Sequence, residues 1–166
     1  MKALLTLLCA AAALCLAAAP ATQARIDVRA RGEGAKAFTV ADKGTTQYIN
    51  HPKWMQKEKE TGALVVFKMN GADWQTGTFT LTSGGAGKLI LNVMGPDVRD
   101  PKTKERIKVL VDYRKVVVNG KTIFETKDDK PLTVWHDKPR SFFFKTELKE
   151  GEKIEVEVTY RPTPEK

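Results

Sequence analysis

Apolar residues recur at every second position through most of this chain, the period of β-strands rather than helices. "TFTLT" (78–82) sets Phe79 and Leu81 against outward threonines, and "KLILNVMG" (88–95) puts Leu89, Leu91 and Val93 on one face. The glycine-rich "SGGAG" (83–87) between them predicts a hairpin turn. Further on, Asn119-Gly120 separates two apolar runs in "VVVNGKTIF", the strongest short hairpin signal. "RSFFFKTEL" (140–148) is an aromatic-rich strand. "EGEKIEVEVTY" (150–160) places Ile154, Val156, Val158 and Tyr160 on one face and Glu155, Glu157 and Thr159 toward water, as in an antiparallel sheet with one solvated side. "ALVVFKM" (63–69) and "RIDVRAR" (25–31) bring the count to about seven to nine strands.

Two stretches depart from plain alternation. "NHPKWMQKEKETG" (50–62) has Pro52 near a first helical position, Asn50 or His51 as a cap and Gly62 as a stop, which predicts one short helix or loop segment near residues 51–61. "VLVDYRKVVV" interrupts two apolar triplets with Asp112, Tyr113, Arg114 and Lys115. An unbroken strand would put Asp112 and Arg114 on one face and Tyr113 and Lys115 on the other, and Asp112 with Arg114 reads as local strand-face pairing. Apolar triplets around a polar middle suggest a change of exposure at a bulge or sheet end. Many short strands, glycine turns and little helix indicate an all-β fold, a two-layer antiparallel β-sandwich.

The first residues follow another rule. "MKALLTLLCAAAALCLAAAPATQA" has one lysine, an Ala/Leu run from Ala3 to Ala19, then proline and small residues, the layout of a secretory signal peptide cut after Ala24. The expected organisation is therefore a signal peptide at 1–24, a single sandwich domain at 25–160 and a frayed tail at 161–166. Removing 24 of 166 residues leaves 142, enough for one core, with no stable membrane span. Cys9 and Cys15 both leave with the leader, so the domain is held by its core alone. Net charge falls from +8 to +7, because Lys2 is the only charge lost. In an exported, periplasmic or secreted protein that excess points to acidic glycans or other polyanionic extracellular ligands, not nucleic acid. Glu and Lys interleave along the chain, so the same excess also serves solubility.

The order from "DWQTGTFTLTSGGAGKLILNVMG" through "VLVDYRKVVVNGKTIF" to "FFFKTELKEGEKIEVEVTYR" resembles the galactose-binding-like jelly roll, a sandwich widespread among carbohydrate-binding modules of secreted bacterial proteins. The likeness covers residues 63–160 and rests on pattern rather than on an invariant motif. The chain departs from it in a short N-terminal part and in the charged insert "GPDVRDPKTKERIK" (95–108). The resemblance implies a jelly-roll sandwich that binds sugar. It also implies that sandwich-end carbonyls can hold a structural calcium ion.

Candidate chemistry is sparse. Ser83 opens a glycine turn and Ser141 a strand, neither in a nucleophile elbow. Asp128-Asp129 read as a turn rather than as paired glycosidase acids. Two isolated histidines make no zinc set, and no calcium-loop spacing occurs. No enzyme activity, catalytic residue, cofactor or side-chain metal site is expected. For sugar binding the informative residues are aromatics that can stack on a sugar face. Trp74 and Trp135 are the preferred exposed pair, with His136 and Arg140 as polar partners and Tyr48 and Trp54 as further candidates. Arg99, Lys102, Lys104 and Arg106 in the insert form a basic loop suited to sulfate or carboxylate groups. The alternative is an envelope or assembly protein that uses a sheet face or edge to contact another protein.

Overall fold

The computed structural model describes residues 23–31, 39–42 and 60–165. They form a two-layer antiparallel β-sandwich. The first sheet has the order β11 (Arg140–Leu148), β5 (Gly87–Met94), β1 (Gln23–Arg31), β3 (Glu60–Lys68). The second runs β10 (Leu132–Val134), β8 (Val111–Val118), β12 (Lys153–Pro162), β4 (Gln75–Thr82), β2 (Thr39–Asp42). The strand β9 (Lys121–Glu125) lies beside β8 on the same side as β10. A small hairpin, β6 (Val98–Arg99) with β7 (Arg106–Ile107), stands apart.

Alternation builds the core. Ile26, Val28, Val65, Leu91 and Val93 line one sheet, and Leu81, Val111, Val116, Val156 and Val158 the other, all fully or almost fully buried. Each such side chain contributes roughly 1.5–3 kcal/mol of burial. Aromatic rings fill the middle: Phe67 stacks on Tyr160 with centroids 5.5 Å apart, and Tyr113 lies 6.4 Å from Tyr160. A Cβ at Gly77 would fall 2.7 Å from the Phe67 ring, so glycine there makes room for the stack. The outer side of the first sheet carries a buried polar chain. Ser141 Oγ donates to Asn92 Oδ1, and Asn92 Nδ2 donates to Asp27 Oδ2 at 3.1 Å.

Five expectations need correction. The strands at 78–82 and 88–95 are not a hairpin: β4 pairs with β12 and β2, while β5 pairs with β1 and β11. The glycine turn carries the chain from one sheet to the other, because alternation says which face is buried but not which sheet a strand joins. The segment near 51–61 ends in strand, since Glu60, Thr61 and Gly62 open β3 opposite Arg31, Ala30 and Arg29; the rest of it lies outside the described residues. The tail begins later than 161, because β12 runs to Pro162 and Thr163 bonds to Asp112 and Leu110. The boundary between 24 and 25 falls inside β1, where Gln23 and Ala24 pair with Lys68 and Phe67.

The fifth concerns the tetrad, where the expected bulge is present but the expected Asp112–Arg114 pair is not. The register passes from Thr159 opposite Lys115 to Tyr160 opposite Tyr113, so Arg114 is the extra residue of a β-bulge. Asp112 and Arg114 do not pair. The buried Asp112 carboxylate accepts from Thr133 Oγ1 at 2.7 Å, Thr163 Oγ1 at 2.8 Å and Arg161 Nε at 3.3 Å. Arg114 Nη1 instead reaches Asp128 Oδ1 at 2.7 Å. The Asn119-Gly120 hairpin forms as its residues dictate, with φ of 48° and 74° and Val118 opposite Lys121.

Candidate functional site

The charged insert folds back on one end of the sandwich. It leaves β5 at Gly95, where an added Cβ would lie 2.7 Å from the Val109 carbonyl oxygen and 3.1 Å from Trp135 Cα. Only glycine lets the chain pass so close to the backbone that carries Trp135. The β6–β7 turn is closed by Asp100, whose Oδ1 accepts the N–H groups of Lys102 at 2.7 Å and Thr103 at 2.8 Å. The Thr103 and Lys102 amides hold the Asp100 carboxyl below its usual range. Lys104 takes a left-handed φ of 62° to complete the turn.

Arg106 braces the hairpin against the body. Its Nε donates to Asp97 Oδ1 at 2.7 Å and its Nη1 to Asp137 Oδ1 at 2.5 Å. The Arg106 hydrogen bond keeps Asp97 ionised well below the ordinary carboxylate range, and Asp97 in turn raises Arg106. His136 Nε2 lies 3.9 Å from Asp97 Oδ2. Burial pushes the His136 imidazole down despite the Asp97 charge. Its Nδ1 is buried with no hydrogen-bond partner among the described residues. Beside it Lys108 Nζ stands 5.9 Å over the half-buried Trp135 ring. Residues 95–108 and 135–140 carry seven Lys or Arg against four Asp or Glu, a local excess of positive charge.

The sequence candidates thus separate. Trp135 and His136 join the basic insert, whose Arg99, Lys102 and Lys104 are exposed while Arg106 is taken up as a brace. Arg140 is exposed at the start of β11, opposite Val93. Trp74 stands elsewhere, on the outer side of the second sheet, with Arg161 and Arg114 guanidinium carbons 4.3 Å and 4.9 Å from its ring centroid. Among the described residues no ring contact joins Trp74 to Trp135. Tyr48 and Trp54 lie outside the described residues. Among those described, no helix is long and apolar enough to cross a membrane.

Sequence reasoning missed a second feature. A cleft of about 770 Å³ opens between β11 and β9, lined by Leu89, Val118, Ile123, Phe142 and Ile154 among others. Phe143 beside it is 73% exposed. The run Phe142-Phe143-Phe144 held the signal: in a strand three consecutive apolar residues cannot all face one core. No protein-family model, curated protein or solved structure matches the chain. Among the described residues, fold and geometry give a β-sandwich with a basic, aromatic end and an apolar edge at β11.

Proposed function

We propose that the protein is an exported, non-catalytic binding module for acidic glycans, of the carbohydrate-binding type that its strand pattern resembles. The observation that carries this reading is the convergence of Trp135, His136 and Lys108 with the exposed cations of the insert on one sandwich end. A sugar ring would stack on Trp135. Its sulfate or carboxylate groups would meet Lys108, Lys102 and Arg99, while Arg106 holds the hairpin in place.

Retention on an immobilised sulfated or uronic glycan tests this. Trp135→Ala should weaken binding by about 30-fold, the size of an interface hot spot of roughly 2 kcal/mol. Paired Lys102→Gln and Lys104→Gln changes should reduce its salt dependence. Trp74→Ala should leave binding unchanged. An array of acidic glycans with no hit, or retention indifferent to Trp135→Ala, would sink the idea. The second reading, an envelope or assembly protein that makes protein contacts, is favoured by the exposed Phe143 on an edge strand.

A further inference from the structure

The cleft between the two sheets is built by a pair of bulges. On β11 the register steps from Phe143 opposite Ile90 to Glu147 opposite Lys88, four positions against two on β5. Leu89 between them has no partner in β11, and it lines the cleft. On β9 the register steps from Val116 opposite Phe124 to Val117 opposite Thr122, so Ile123 is the extra residue, and it lines the facing wall. A bulge bends its strand and re-aims a side chain, and bulges gather at sheet edges and next to active sites. Here they fall on both walls of one opening, which makes the cleft a feature of the two strand paths rather than a gap in core packing.

Its floor and its mouth differ in chemistry. Leu89, Leu148 and Ile154 are almost wholly buried beneath it. At one end Phe142 of β11 and Phe124 of β9 meet with ring centroids 5.4 Å apart. Asn119, Lys121 and Glu152 stand toward the other end. Glu152 accepts the Lys149 N–H at 2.9 Å and Asn119 Oδ1 the Glu155 N–H at 2.8 Å, while the exposed Lys121 has no acid partner among the described residues. At about 770 Å³ the cleft falls within the usual range of ligand sites, about 300–1,000 Å³. An apolar trough with an unpaired cation at its mouth is complementary to an alkyl chain that ends in an anion. A sugar or a charged peptide would instead leave polar groups unbonded against Leu89 and Ile154. We propose that this cleft binds a single-chain carboxylic acid, a ligand of the fatty-acid class, with its chain toward the Phe124–Phe142 pair and its carboxylate at Lys121.

The inference stands apart from the glycan reading, because the cleft and the basic end are built from different residues. Titration calorimetry of the unaltered chain with octanoate, decanoate and dodecanoate, each below its micelle concentration, tests it. Binding should saturate at one molecule per chain and tighten about fourfold with each added methylene. Lys121→Gln should weaken dodecanoate about fivefold, the upper size of an exposed ion pair, and leave dodecanol unchanged. Ile123→Glu sets a carboxylate in the trough from a half-buried edge position and should remove binding of both, with an unchanged circular dichroism spectrum. No saturable binding overturns the proposal, including the case where another part of the chain or another protein occupies the cleft. So does an affinity flat with chain length, an Ile123→Glu chain that binds dodecanoate as before, or an equal effect of Lys121→Gln on dodecanoate and dodecanol.

Discussion

Tyr113→Phe tests how the two sheets are held together. Tyr113 belongs to β8, yet its hydroxyl completes the ladder of the opposite sheet. Arg25 and Met94 are paired at the end of the β1–β5 register, and there the hydroxyl accepts the Arg25 N–H at 3.1 Å and donates to the Met94 carbonyl at 2.8 Å. The ring is fully buried, so phenylalanine would keep the packing and lose only these bonds. A typical hydrogen bond contributes about 1 kcal/mol net, and a buried group left unpartnered costs about 1–3 kcal/mol. We expect a loss of about 2–3 kcal/mol, or roughly 6–10 °C in Tm for a domain of this size. Urea unfolding followed by fluorescence and circular dichroism measures it. Tyr160→Phe is the control, since that hydroxyl makes no hydrogen bond to a described residue. A Tyr113→Phe loss below about 0.5 kcal/mol, or one equal to the control, would refute the account.

Two further outcomes concern the sandwich end. Gly95→Ala should cost about 1–3 kcal/mol and weaken glycan retention, because its Cβ would press on backbone at Val109 and Trp135 rather than on a yielding side chain; a full-strength binder with wild-type Tm would contradict this. Stability should fall on acidification in two steps. His136 has a folded pKa below its ordinary 6.5, so its contribution is complete above 6.5 and lost as pH drops through the folded value. Asp97 has a folded pKa below 3.8, so its contribution is present above 3.8 and lost further down. Urea midpoints of the wild type and His136→Asn across pH 4.5–7.5 should converge toward the acid side; parallel curves would exclude the histidine.

Strand positions and inward faces were legible in the sequence because alternation encodes them directly. Phe79, Leu81, Ile154 and Val156 all point where their pattern says. Partnering was not legible. Both β4 and β5 have one apolar face, and nothing local distinguishes a hairpin from a crossing between sheets. The short strands β6 and β7 escaped because two residues carry no periodicity. At the site, Trp135, His136 and the basic insert were each visible, but their convergence depends on Gly95 and on the Arg106 brace, which join residues far apart in the chain, Gly95 to Trp135 and Arg106 to Asp137. The role of Arg106 illustrates the limit: as a residue type it reads as a ligand for anions, and its two carboxylate partners make it a strut.

The bulge in β8 sets the surroundings of Trp74. Tyr113 and Val116 both face inward, so the extra residue leaves Arg114 and Lys115 on the outer side together. Arg114 can then lie over Trp74, and Arg161, anchored by the buried Asp112, lies over the same ring. Cation–π contacts contribute about 0.5–1 kcal/mol each at exposed sites and more when desolvated. A sugar stacking on Trp74 would have to displace guanidinium groups held by Asp112 and Asp128. Trp135 faces a single ammonium at 5.9 Å, near the outer limit of such contacts at about 6 Å. A flexible lysine there can turn to an anionic substituent while the ring takes the sugar face. Under the proposed glycan reading, the polar tetrad therefore bears on binding only indirectly, by committing Trp74 to the scaffold.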